Sequence, residues 1–167
     1  MRISIKKRIG RVKASFIIGT ITDVAGVNSN LSEGGHILMW EFDSLDLDEV
    51  KGWLWTVQAF HGLPAIHISQ SHPGGGYHAY SLTRVQWLDS VHIISGTRGV
   101  DPGYVSMCAM RGHWTLRLSD KGQGVPRFIC TLPSGHPEVA SAWELTSWVD
   151  YEVWSNTHVL TLGKRGL

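Results

Sequence analysis

The stretch Ser69–Leu82, "SQSHPGGGYHAYSL", decides how the chain is read. Three successive glycines, Gly74 to Gly76, separate two segments of alternating character, "AIHIS" (65–69) and "YHAYSL" (77–82). Alternation of period two marks strands with one buried face, so the stretch reads as a β-hairpin. A two-residue hairpin turn needs one Gly or an Asn-Gly pair. Three glycines with His78 close behind point to a backbone that approaches another group closely.

Outward from the hairpin, the upstream run "HILMWEFD" (36–43) is apolar and ends in acids, as a buried strand does. "SLDLDEVKGWLWTVQAFHG" (44–62) opens with capping-type Ser and Asp and ends in Gly. Leu47, Val50, Leu54, Val57 and Phe60 recur at steps of three and four, which predicts a helix. Downstream, "TRVQWLDSVHIISGT" (83–97) reads as a second helix. In "RGVDPGYVSMCAMRG" (98–112), Pro102 opens and Gly112 closes a short third one. "HWTLRLS" (113–119) and "PRFICTL" (126–132) read as strands around the turn "DKGQGV". "HPEVASAWELTSWV" (136–149) is expected to form a last helix and "THVLTL" (157–162) a last strand. Near the start, "ASFIIGTIT" (14–22) reads as a strand and "DVAGVNSNLSEGG" (23–35) as loop. The central order β-α-β-β-α is that of a split β-α-β sheet with helices on one face, so the expected class is α+β.

Composition narrows the function. The chain has 167 residues, 43% hydrophobic and 17% charged, which suits a folded domain with a real core. A net charge of +1 does not argue for wholesale nucleic-acid binding. Lys and Arg cluster in "RISIKKRIGRVK" (2–13), so residues 1–13 are read as a basic arm and 14–167 as a single domain. Cys108 and Cys130 lack CxxC spacing and fit a reducing compartment. No apolar run reaches the length of a membrane span, so no membrane partner is expected and the expected location is cytoplasmic. Of the eight Trp, Trp53, Trp55, Trp87 and Trp114 are candidate base-stacking groups, with core packing the more usual fate.

Four features carry possible chemistry, and each has a plain structural reading beside it. Glu41 and Asp43, two apart at a strand end, share a face and repel unless a cation sits between them. Mg²⁺ or Mn²⁺ would do so. Acids also suit a strand end that runs into a helix N-terminus. The glycine loop and His78 can reach a phosphate or a base, or can simply turn a hairpin. Asp101 stands in an Asp-Pro pair that usually starts a turn. Arg117 and Lys121 can hold a triphosphate, or belong to a surface strand and turn.

Taken in order, these motifs resemble the catalytic module of the archaeo-eukaryotic primase superfamily, the primase-polymerase group. That family carries an acid-x-acid strand end, an S/G-x-H motif and a later acid. In its eukaryotic-type branch the later Asp is followed by Tyr and an Arg-containing strand. Here "VDPGYVSMCAMRGHWTLRLSDK" places Asp101, Tyr104, Arg111, Arg117, Ser119 and Lys121 in that order. The likeness spans about residues 36 to 121. It implies an RRM-like split β-α-β core with additional strands and helices, and a metal-dependent nucleotidyltransferase that extends on a single-stranded DNA template.

It further implies that Glu41, Asp43 and Asp101 bind Mg²⁺ or Mn²⁺. Ser71, Gly75, Gly76 and His78 would contact an NTP or dNTP, with Gly74 in the same loop, and Arg117 and Lys121 would hold its phosphates. A helicase or other replication protein is the implied partner, in a virus or plasmid setting, with host cytoplasm as the location if viral. Glu41 stands where the family usually has Asp. Two other readings stay open. One is a catalytically inactive nucleotide- or single-stranded-DNA-binding replication accessory protein. The other is a rolling-circle nicking nuclease, for which His67 and His72, five apart, lack the required strand geometry.

Overall fold

The computed structural model describes residues 2–9, 12–19, 21–145 and 148–154, with side chains from 24 to 145. The chain divides into two compact units, Met1–Asp23 with Tyr151–Leu167, and Val24–Asp150. In the first, strand β1 (Arg2–Ile9) pairs antiparallel with β2 (Val12–Gly19), from Arg2 opposite Gly19 to Ile9 opposite Val12. The stretch read as a basic arm thus contains a strand. The expected strand 157–162 lies outside the described residues.

The second unit is built on a four-stranded antiparallel sheet in the order β4-β6-β5-β8. The strands are β4 (His36–Phe42), β5 (Ile66–His72), β6 (Gly76–Val85) and β8 (Arg127–Leu132). Strand β6 lies between β4 and β5 and runs antiparallel to both, so β4 and β5 are parallel to each other. Parallel strands need a crossover, and helix α1 (Leu47–His61) supplies it. The result is a split β-α-β unit in an α+β fold. Helices α2 (Trp87–Ser95) and α3 (Pro102–Arg111) follow.

Pairing partners and strict alternation assign the two faces. Leu38, Trp40 and Phe42 of β4, Ala79 of β6 and Ile66 and Ile68 of β5 are at 0% exposure, in one core with Val50 and Leu54 of α1 and Ile94 of α2. Two buried polar side chains there are satisfied, whereas the Ser81 hydroxyl, opposite Leu38 and Ile66, is buried without a partner among the described residues. Trp40 Nε1 donates to Thr97 Oγ1 at 3.0 Å, and Gln58 Nε2 donates to the Pro64 carbonyl at 2.9 Å. Trp114, also at 0%, donates from Nε1 to Ser90 Oγ at 2.8 Å and packs between Trp87 and Tyr104. Trp53 is half-buried beneath the Arg98 guanidinium, whereas Trp55 is exposed. The other sheet face carries Ile37, Met39 and Glu41, then His78, Tyr80 and Leu82, then His67 and Ser69.

Helix ends follow their local chemistry. Asp46 caps α1 in a capping box with Glu49, and Gly62 ends it in the left-handed conformation. Gly112, at φ 75°, ends α3. Three expectations need correction. The second helix begins at Trp87, not 83, because Thr83–Val85 continue β6, with Val85 opposite His36. The loop expected over 23–35 begins as strand β3 (Ile21–Asn28), which pairs antiparallel with β7 (Thr115–Arg117) in a three-stranded sheet of order β7-β3-β9, where β9 is Trp148–Trp154. Gly26 permits that pairing, since a Cβ there would stand 2.7 Å from the Leu116 carbonyl oxygen. The helix expected over 136–149 does not form. Val139 and Ala140 donate their N–H groups to the Leu82 carbonyl, only Ala142–Glu144 makes a short 3₁₀ turn, and Trp148–Trp154 is strand β9. Among the described residues no helix is long and apolar enough to cross a membrane.

Candidate functional site

Register across the sheet places Glu41 opposite His78, and His78 opposite Ser69. These side chains therefore stand in a row on the face away from the helical core. His78 is 5% exposed, and its Nε2 lies 3.7 Å from Glu41 Oε1. Asp43 follows one residue beyond the end of β4 and is exposed. Ser44, at φ 58°, then turns the chain toward α1 in a conformation that L-residues seldom adopt.

The glycine loop has a structural cause in the hairpin and in the segment it packs against. Pro73, Gly74 and Gly75 form the loop between His72 and its partner Gly76. Gly74 and Gly75 hold φ values of 107° and 103°. Gly75 accepts a backbone hydrogen bond from Leu45 at 3.2 Å, and a Cβ on it would come within 3.1 Å of the Leu45 carbonyl oxygen. A Cβ on Gly76 would meet the His72 ring at 2.0 Å and Ser71 Oγ at 2.5 Å. The group that this backbone approaches is the β4–α1 connection itself. That contact brings the hairpin next to the segment that carries Asp43.

Arg117, on β7, is 6% exposed. Its guanidinium donates to the carbonyls of Ser119, Gly124 (2.9 Å) and Ser71. Three of its five N–H groups are thus bonded, which leaves two. It makes no ion pair among the described residues. Ser71 contributes its carbonyl to this network, while its hydroxyl meets His72 Nδ1 at 3.0 Å. Arg117, His78 and Ser69 lie in the wall of a largely apolar cavity of about 240 Å³, with Met39, Tyr80 and Leu82. Lys121 is exposed in the turn that follows. Asp120 shapes that turn: its carboxylate accepts from the N–H groups of Gly122, Gln123 and Gly124. Those bonds, Gly124's foremost, hold Asp120 below the usual carboxylate range.

Asp101 is drawn to the same strand end by its backbone, not its carboxylate. Its N–H donates to the Glu41 carbonyl at 2.9 Å. Its side chain caps α3, with Oδ1 accepting from Gly103 at 3.1 Å and Oδ2 from Tyr104 at 2.8 Å. Tyr104 is buried behind it, donates to the Met39 carbonyl and is pushed well above its ordinary pKa by desolvation. Among the described residues no three His, Cys, Asp or Glu side chains group closely enough to hold a metal ion. Glu41 and Asp43 still offer hard oxygen donors. Mg²⁺ commonly takes one or two carboxylates together with substrate phosphates, so this donor pair fits the ion in kind.

Of the sequence-predicted residues, the structure brings Glu41, His78 and Arg117 toward one face, with the backbone of Ser71 tied to Arg117. Gly75 and Gly76 serve the hairpin, and Lys121 lies on an exposed turn. Ser69 is not among the sequence-predicted residues; alternation puts it on the face away from Ile68, and the strand register sets it opposite His78. His67 meets Thr131 Oγ1 at 3.0 Å and Glu138 Oε1 at 3.1 Å, while His72 bonds Ser71, so the two histidines have separate partners. Comparison of the chain with protein-family models, curated proteins and solved structures finds no match.

Proposed function

We propose that this chain is a nucleotidyltransferase of the primase-polymerase type, which binds a nucleoside triphosphate beside β4 and β6 and adds it on a single-stranded DNA template. In this reading β4, α1, β5, β6 and α2 are the RRM-like core, and the remaining strands and α3 are additions. One observation carries the proposal. Arg117 is a buried guanidinium anchored by three backbone carbonyls, with no ion-pair partner among the described residues, in a cavity it shares with His78. Burying a cation without a counter-charge is costly, and an anionic ligand removes that cost. The order of acid pair, glycine hairpin with His78, and Arg117 adds weight, because a phosphate on Arg117 would lie on the face that Glu41 and His78 share.

Each residue then has a physical task. Arg117 holds and orients phosphate oxygens with its two remaining N–H groups. His78 and Ser69 offer hydrogen bonds from the sheet face, and the apolar wall of Met39, Tyr80 and Leu82 excludes water and strengthens those contacts. Glu41 and Asp43 would hold Mg²⁺ or Mn²⁺. The ion would supply charge neutralisation at the triphosphate. A second reading is a non-catalytic nucleotide- or DNA-binding accessory protein, favoured by the Asp101 carboxylate being engaged by its own helix.

Template-directed primer extension with Mg²⁺ or Mn²⁺ and each nucleotide type tests the proposal, with wild type beside Asp43→Ala. Extension that is lost in Asp43→Ala is expected. A folded wild type that binds nucleotide but never extends a primer would leave the accessory reading in its place.

A further inference from the structure

We infer that the cavity walled by Arg117 binds a medium-chain aliphatic carboxylate, with its carboxylate on the guanidinium and its chain along the apolar wall. The inference goes beyond the primase-polymerase reading and does not rest on it. Arg117 is the group that both ligands would use, so the acid would compete with a nucleoside triphosphate.

The cavity is built from two sheets. Met39, Tyr80 and Leu82 reach it from the face of β4 and β6 that turns away from the helices. Val27 and Leu116 reach it from the paired strands β3 and β7. Met39, Val27 and Leu116 are buried, whereas the lining residues Leu118 and Ala142 are exposed and mark the opening. A volume of about 240 Å³ falls below the roughly 300–1,000 Å³ of sites that enclose drug-sized ligands, so the occupant is small. Phosphate oxygens gain nothing from such a wall, and a methylene chain gains burial along all of it.

Arg117 sets the charge of the ligand. It is buried, and no acid lines the cavity among the described residues. Glu41 lies against His78 without lining the cavity, and Glu144, the neighbour of the lining residue Leu145, is paired with Arg84. The bonds to Ser119 and Gly124 use both hydrogens of Nη1, and the bond to Ser71 uses one on Nη2. Nε–H and one Nη2–H remain. Two donors on one guanidinium suit the two oxygens of a carboxylate. A monocarboxylate also balances the single buried cation charge for charge, which a polyanion does not. Ser69 and His78 add hydrogen-bonding groups in the same wall.

The test is titration calorimetry of the full chain with octanoate, beside octanol, which lacks the charge, and acetate, which lacks the chain. Octanoate is expected to bind, and both controls to bind about tenfold more weakly or worse. Arg117→Met is expected to weaken octanoate about tenfold or more. That change also removes three bonds to backbone carbonyls, so a second variant at the exposed opening is needed. Ala142→Phe is expected to crowd the cavity and weaken octanoate about fivefold or more, with an unchanged circular dichroism spectrum. No octanoate binding by folded wild type would overturn the inference. So would octanol or acetate binding as tightly as octanoate, or unchanged octanoate affinity in every variant that folds. Octanoate is expected to raise the apparent Kd for ATP. If ATP binding ignores octanoate while Arg117→Met loses octanoate, the inference stands and the triphosphate does not sit on Arg117. If Arg117→Met loses ATP and wild type never binds octanoate, the inference fails and the polymerase reading is untouched.

Discussion

On one face of the sheet, Leu38, Trp40 and Phe42 of β4 lie at 0% exposure in the helical core. On the other, Glu41 stands between Trp40 and Phe42 in the chain and meets His78, which in turn lines a cavity together with Arg117. The same strands thus serve two kinds of surface. The helical face is close-packed, and its polar atoms at Trp40 and Gln58 have partners. The far face keeps charged groups whose protein contacts are incomplete. The difference teaches where to look for function: the first face is covered by helices, with the Ser81 hydroxyl its one buried unpartnered side-chain group among the described residues, and the second keeps charged groups within reach of a cavity.

The largest expected effect breaks the first face. Trp40→Ala should cost about 3–5 kcal/mol in a urea melt, through lost burial and the orphaned Thr97 contact. Glu41→Gln should change stability by under about 0.5 kcal/mol. A costly Glu41→Gln would break the comparison.

Arg117→Ala should cost about 2 kcal/mol, because the buried carbonyl of Ser71 and the partly buried ones of Ser119 and Gly124 lose their donor. The same variant should lose nucleotide binding by calorimetry. Lost stability with unchanged nucleotide affinity would make Arg117 a bracket for its loop and nothing more.

Asp101 separates cap from chemistry. Asp101→Ala should cost about 1 kcal/mol through the lost cap on α3, whereas Asp101→Asn should keep most of that stability. If Asp101→Asn extends primers at the wild-type rate, the carboxylate charge has no catalytic part.

The smallest effect concerns pH. Burial, and then the field of His113, lowers the pKa of His36, which meets Ser29 Oγ at 3.0 Å and packs on Trp87. Below its ordinary value of 6.5 the unfolded chain binds a proton more readily than the folded one. Stability from this group is therefore full above about pH 6.5 and falls as pH drops below it. His36→Gln should flatten that part of the stability curve, and an unchanged slope would assign it to another histidine.

Much of the framework was legible because its signals are local. Helix α1 ends at Gly62, α3 opens at Pro102 and ends at Gly112, and the hairpin strands alternate, all by short-range rules of capping and periodicity. The site was less legible. Acid-x-acid spacing put Glu41 and Asp43 together, but nothing in "GVDPGY" says that the Asp101 carboxylate is taken by two N–H groups of its own helix. Nor does "LRLSDK" say that Arg117 is buried between carbonyls of its own following turn and the distant Ser71 carbonyl of the hairpin.

By itself the sequence determined the order β-α-β-β-α, the caps and the stripe Leu47, Val50, Leu54 and Val57 that packs on the core, since each depends on residues within a turn or two of one another; Phe60, expected in the same stripe, is exposed instead. Only the tertiary structure decided that 136–149 is not a helix and that 23–28 is a strand. In both places the backbone N–H groups and carbonyls have partners elsewhere in the chain: Val139 and Ala140 at Leu82, and Gly26–Asn28 at Thr115–Arg117. A backbone group bonds wherever the fold brings a partner, and no local pattern records which distant segment that will be.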